Sequence, residues 1–252
     1  GQDMLNRTEG GPKAKTWLRR AAVWLLWIAL WQAIAAMVHN PIIFVGPFEM
    51  LRSLRDQLFD AAFWQTIGHS FGKISLGFLG AFATGLALGS LAYRFPFLGE
   101  LLEPFMSLIR SIPVASFVIL ALIWIGSGSL SVCISYLVVL PIVYVNTIAG
   151  LASTDPKLLE MARVFHMHAL KKVRYIYVPA LMPYLVSGCK TALGMSWKSG
   201  IAAEVIGIPD SSIGEQLYYS KLYLDTAGLF AWTFVIVIVS AVFEQLFLFL
   251  LK

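Results

Sequence analysis

Two stretches of this chain, Ala21 to Val38 and Thr226 to Phe243, each run eighteen residues without a charged side chain. Such a segment settles as a helix across a bilayer, because lipid cannot satisfy an open backbone and a helix satisfies its own. Four more apolar segments lie between them: Trp64 to Tyr93, a run entered obliquely past Glu100, Glu103 and Pro104 and ending at Gly126, Leu130 to Leu151, and Ala180 to Glu204. Composition agrees, since 58% hydrophobic and 13% charged residues, with a mean hydropathy of +0.76, leave too little polar sequence to cover a soluble core. The expected fold class is therefore all-α, a polytopic membrane protein with six transmembrane helices.

The basic residues set the orientation. In a six-span topology twelve of the nineteen fall on one side: Arg7, Lys13, Lys15, Arg19, Arg20, Arg94, Lys157, Arg163, Lys171, Lys172, Arg174 and Lys252. Three (Arg52, Arg55, Lys221) fall on the other, and four (Lys73, Arg110, Lys190, Lys198) lie within spans. Cytoplasmic loops collect Lys and Arg, so both termini are expected in the cytoplasm. The net charge of +5 thus reports topology and gives no reason to expect a nucleic-acid partner. Expected divisions are a tail over 1–16, a first span with an outer amphipathic segment over 17–63, and a core over 64–252 containing a polar loop at 153–179. Gly1-Gln2-Asp3, ahead of Met4, reads as an expression remnant.

Punctuation refines this plan. After His39-Asn40-Pro41, Met50, Leu51, Leu54 and Leu58 recur at helical spacing and predict a short amphipathic helix on the outer face. Gly68 and Gly72, then Ala81, Gly85 and Gly89, form small-residue rows that allow helix backbones to approach closely. Arg110-Ser111-Ile112-Pro113 interrupts the third span and predicts a kink, with Arg110 either paired to a nearby carboxylate or facing a solute pathway.

No chemistry is assembled from neighbouring residues. Gly188-Cys189-Lys190-Thr191 lacks the glycine directly before lysine that a phosphate-binding loop needs. His166 and His168 diverge on a helix, and Cys133 and Cys189 lie in apolar spans without a pairing logic. No catalysis, cofactor or metal is expected of this polypeptide.

The polar island from Ser153 to Pro183, STDPKLLEMARVFHMHALKKVRYIYVPALMP, is structured. Thr154 or Asp155 can cap a helix whose first turn holds Pro156, predicting a helix from about Pro156 to Phe165. Glu160, Ala162, Ile176 and Pro179 stand in the register of the Glu-Ala-Ala, Gly, Ile-x-Leu-Pro signature, so the chain resembles the membrane subunits of ABC importers, type I, in the branch associated with sulfonates, taurine and nitrate. Met161, His166 and Val178 depart from it, and His166 stands where the turn is expected to need a positive φ. Gly68 to Lys73 also looks like the start of that family's transporter module, and the resemblance covers roughly Trp64 to Phe247.

The resemblance implies an assembly: two permease copies, expected to be a homodimer, a cytoplasmic ATPase dimer that binds the ATP and Mg, an extracytoplasmic solute-binding protein, and surrounding lipids of a prokaryotic inner membrane. It implies that Pro156, Leu159, Glu160, Met161, Ala162, Phe165, His166 and Pro179 form the ATPase-coupling element, with Ala162 at a tight contact and Glu160 facing a basic group. It also makes Ser211-Ser212-Ile213-Gly214 an outer loop suited to a delivering protein.

Residue spacing adds a candidate path. At 100° per residue, Lys190, Gly194, Trp197, Lys198, Ile201 and Glu204 share a stripe of about 120°. Lys190 lies about 16 Å along the helix from Pro179, where a charge faces a protein interior or water rather than lipid. Arg110, Lys190, Gly194, Trp197, Lys198 and Glu204 are the candidate path residues, and the buried positive charge favours an anionic solute. Pairing of the lysines with Glu204, Glu244 or a second copy is the other reading. A stand-alone secondary transporter or channel is the rival class, but it would show internal repeats and a midplane carboxylate.

Overall fold

The computed structural model describes residues 11–252, in which every regular element is a helix. The chain runs α1 (Gly11–Val38), α2 (Pro47–Leu58), α3 (Ala61–Arg94), α4 (Pro96–Ser111), α5 (Val114–Ile125), α6 (Leu130–Ala152), α7 (Pro156–Val164), α8 (Ala169–Lys172), a π-helical turn (Val173–Tyr177), α9 (Val178–Gly207), α10 (Ile213–Leu222) and α11 (Thr226–Leu251). Gly1-Gln2-Asp3 lies outside the described residues. Within the described residues α1 runs from Gly11.

The body is built on α6, which packs along α3 on one side and α9 on the other. Small residues make this possible. A Cβ at Gly85 would stand 2.8 Å from Val143 Cβ, and one at Gly89 would stand 2.7 Å from Thr147 Cβ, so α3 and α6 approach too closely for any larger side chain. The other expected small-residue row behaves differently. Gly68 and Gly72 are exposed, with nothing of this chain within 4 Å of an added Cβ, since the opposite face of α3 carries the core residues Phe63, Ser70, Ile74 and Phe78. Phe71, Phe78, Phe82, Phe243 and Phe247 lock α11 onto α3 through edge-to-face and tilted ring contacts.

Helix α1 stands apart, its tryptophans Trp17, Trp24 and Trp27 exposed. It is tied near its C-terminal end, where Trp31 Nε1 donates to the Val45 carbonyl at 2.8 Å and the Trp31 ring meets Phe230. The predicted amphipathic helix is α2; Met50 is buried and Leu54 half-buried, while Leu51 and Leu58 remain exposed.

Among the described residues four helices, α1, α3, α6 and α11, are long and apolar enough to cross a membrane. The third expected span is not a kinked helix. α4 and α5 meet at 102°, and only if the pair is one broken span does the count reach five. Ile112 and Pro113 are both extended (ψ 130° and 136°), as the residue before a proline prefers, so Pro113 starts a new helix instead of bending an old one. The remaining expected span corresponds to α9, whose 30 residues reach about 45 Å. Its lysines, serines and glycines keep it below the apolarity of the other four.

Candidate functional site: the polar loop and the face of α9

The polar loop folds by local rules at both ends. Asp155 caps α7 by accepting from the Lys157 N–H at 2.9 Å, and Pro156 occupies the first turn where no donor is needed. At the other end the Met167 N–H reaches the Ala162 carbonyl (2.9 Å) and the His166 N–H reaches that of Arg163 (3.3 Å). This is the Schellman arrangement, which requires a left-handed residue at its turn, and His166 supplies it with φ 51°. A left-handed non-glycine residue costs about 1 kcal/mol. His166→Gly should therefore tighten the cap, slowing hydrogen exchange at the Met167 amide by about fivefold. Unchanged exchange there would show that the histidine carries no strain.

The faces of α7 divide sharply. Ala162 is its one buried residue, at 1% exposure, and Leu159 is half-buried. Leu158, Met161, Val164 and Phe165 are exposed, as are Pro156, Glu160 and His166. Among the described residues Glu160 is in no ion pair. Ala162, expected at a tight contact, is turned into this chain, and the apolar side chains left exposed beside it are those of Leu158, Met161 and Phe165. Pro179 is exposed in the first turn of α9, and Ile176 is buried.

The stripe on α9 is also split. Lys190, Gly194 and Lys198 are exposed, whereas Trp197, Ile201 and Glu204 are 2%, 7% and 0% exposed. A stripe of about 120° is wide enough to straddle the edge between a helix's packed and open faces. Trp197 packs on the rings of Phe71 and Phe243, so neither it nor Glu204 shares the open face with the lysines. Lys190 and Lys198 make no ion pair with Glu204 or Glu244. Lys190 instead lines a shallow, open groove of about 630 Å³ with Ser187, Pro183, Met182 and Lys252. Arg110, at the end of α4, sits 3.9 Å from the Glu103 carboxylate on the same helix.

Glu204 organises a knot that the spacing argument missed. Its Oε2 accepts from Ser70 Oγ (2.9 Å) and from the Gly214 N–H (3.1 Å), while Ser70 Oγ itself accepts from the Ile213 N–H (2.8 Å). The carboxylate thus sits at the start of α10, where free N–H groups and the helix dipole favour an anion. Ser212 caps the same helix by accepting from the Glu215 N–H at 3.0 Å. Ser212, Ile213 and Gly214 are consequently buried, and of the expected outer contact only Ser211, beside Asp210, remains exposed. Burial, followed by the nearby Asp210 carboxylate, pushes the Glu215 carboxyl above its ordinary value. A Ser-Ser-Ile-Gly run seven to ten residues after Glu204 was the available signal; its partner Ser70 is too distant in sequence to read.

Residues 81–252 match the family model described as the binding-protein-dependent transport system inner membrane component. The aliphatic sulfonates transport permease SsuC of Bacillus subtilis, itself described as putative, is 26% identical over 93% of this chain and 85% of its own length. The taurine transport system permease TauC of Escherichia coli is 24% identical over 86% and 81%. The nitrate import permease NrtB of Synechococcus elongatus is 24% identical over 81% and 76%. Among solved structures, an inward-facing form of the MetNI methionine ABC transporter shares the fold, with a TM-score of 0.53 at 14% identity over 81% of this chain and 97% of that one.

Proposed function

The chain belongs to the family of binding-protein-dependent transport system inner membrane components and is a membrane permease subunit of an ABC importer, and from that premise we propose that α7 is the element through which a separate ATPase drives it. The observation that carries this reading is the surface of α7: Leu158, Met161, Val164 and Phe165 are exposed together on a loop helix capped at both ends. A rigid helix with an uncovered apolar stripe fits a groove on a partner. Glu160 supplies a carboxylate beside that stripe for a basic group of the ATPase. Capture of the ATPase on the purified permease tests the assignment, and its failure with wild-type protein overturns it.

The open face of α9 supports a path formed between two copies of the permease. Ser187, Lys190, Thr191, Gly194 and Lys198 are exposed along it, and two ammonium groups at depth in a span are tolerated against protein or water, not lipid. Such a path favours a small anion, delivered by an extracytoplasmic binding protein; the relatives named for sulfonate, taurine and nitrate transport are in keeping with that class. Lys190→Met should lower uptake of the anion by about five- to thirtyfold, the factor that a loss of roughly one to two kcal/mol of attraction corresponds to. Basal ATP hydrolysis should be unchanged. Normal uptake would remove Lys190 from the path.

This reading places α9 across the prokaryotic inner membrane as the fifth of six spans, with both termini cytoplasmic. Arg174 and Ser211 are exposed on either side of α9. In a background with Cys133 and Cys189 replaced by alanine, Arg174→Cys should label from the cytoplasm and Ser211→Cys from outside. Labelling of both from one side would show that α9 does not cross.

A further inference from the structure

Behind the polar loop, the ends of α3 and α6 and the π-helical turn border an open-sided cavity of about 590 Å³. Its floor is apolar. Leu151 and Leu181 belong to a buried cluster against which Leu86, Tyr93 and Tyr177 pack, and all five line the space. Its rim is cationic, with Arg94 as the last residue of α3 and Lys172 as the last residue of α8. Among the described residues neither cation is in an ion pair. The Tyr93 and Tyr177 rings meet edge to face, 6.2 Å apart, on the same wall. Tyrosine at such a level is at home where hydrocarbon gives way to headgroups.

We propose that this cavity binds an anionic phospholipid, with its phosphate between Arg94 and Lys172 and an acyl chain against Leu86, Leu151 and Leu181. Charge complementarity selects the head, because a basic pocket between spans on the loop side matches an anionic headgroup. The floor selects a lipid over a free anion, since an inorganic phosphate gains nothing from a leucine wall and a hydrocarbon chain does. The ligand would bridge the end of a spanning helix to the π-helical turn leading out of the polar loop. Val173 and Tyr177 of that turn line the site, so its occupancy sets where the loop sits relative to the spans. Placing the lipid in the inner leaflet rests on the topology proposed above; the pocket's chemistry does not.

The test uses the full chain in detergent, analysed by native mass spectrometry with phosphatidylglycerol and phosphatidylcholine of matched acyl chains, with inorganic phosphate as competitor. Wild-type protein should retain phosphatidylglycerol in preference to phosphatidylcholine, and phosphate should not displace it. Arg94→Gln should weaken retention about fivefold, and Arg94→Gln with Lys172→Gln about thirtyfold, from the contribution of each cation near a headgroup. Leu86→Trp, which fills the floor without altering charge, should also abolish it. Arg174→Gln, a basic residue of the same segment that does not line the cavity, should leave retention unchanged. Equal retention of the two lipids, or a loss with Arg174→Gln as large as with the double variant, would overturn the site in favour of diffuse surface charge. Displacement by phosphate would overturn it in favour of a free anion. ATPase capture on the same samples separates the two proposals. Retention of phosphatidylglycerol without capture leaves the lipid site standing and defeats the role given to α7, whereas capture without lipid preference defeats the lipid site alone.

Discussion

Met161→Glu should leave the permease folded and strip away its ATPase, while Ala162→Asp, one residue along, should disrupt the loop itself. The two side chains differ in what they touch. Met161 is 43% exposed on the open stripe of α7, and Ala162 is 1% exposed on its packed face. Covering the exposed part of Met161 with a partner contributes about 1 to 2 kcal/mol, and a glutamate there adds the cost of desolvating an unpaired charge. The sum weakens docking by at least about a hundredfold, since each 1.4 kcal/mol is tenfold. At Ala162 a carboxylate would overpack a filled site and bury a charge with no partner, costing several kcal/mol within this chain. Limited trypsin digestion at Lys157 and Arg163, read beside ATPase capture, separates the two. Met161→Glu should resist digestion as wild type does and capture no ATPase; Ala162→Asp should be cut and capture none. Wild-type capture by Met161→Glu would show that the stripe is not the docking surface, and α7 would lose its assigned role.

Gly214→Ala should be the most damaging small substitution where α10 meets α9. An added Cβ would fall onto Cβ and the carbonyl carbon of Glu204 and lie 2.6 Å from the Val205 nitrogen. Those atoms belong mostly to the backbone of α9 and cannot rotate aside, so α10 must move away. Its movement stretches the Gly214 N–H to Glu204 bond and the Ile213 N–H to Ser70 bond, which leaves a buried carboxylate short of donors. Overpacking at about 1 to 3 kcal/mol and a lost charge-assisted hydrogen bond at about 1.5 to 3 kcal/mol together predict a loss of roughly 3 to 6 kcal/mol. Glu204→Gln keeps an oxygen for both donors, so it should cost only about 1 to 2 kcal/mol. Thermal melting in detergent should therefore rank Gly214→Ala well below Glu204→Gln, with wild type highest. Equal melting of Gly214→Ala and wild type would mean that α9 and α10 are not in contact at this point.

Much of the molecule could be read before its structure was seen because the rules involved act within a turn or two of helix. Uncharged runs of eighteen residues marked the first and last spans, Asp155 and Pro156 marked the start of α7, and the signature register located the turn at His166, whose positive φ follows from local backbone closure. Bilayer thickness, capping geometry and steric limits on φ need no knowledge of distant neighbours. Tertiary structure decided which side of each helix is covered. It turned Ala162 inward and Met161 outward, divided Lys190 from Trp197 and Glu204 on one stripe, and left Gly68 and Gly72 open while Gly85 and Gly89 packed. It also folded α4 back on α5 by 102° and joined Glu204 to Ser70 across 134 residues. Helical periodicity states only which residues share a face; what that face meets depends on segments far away in the chain, so burial, and with it the difference between a packing residue and a contact residue, is a property of the assembled helices.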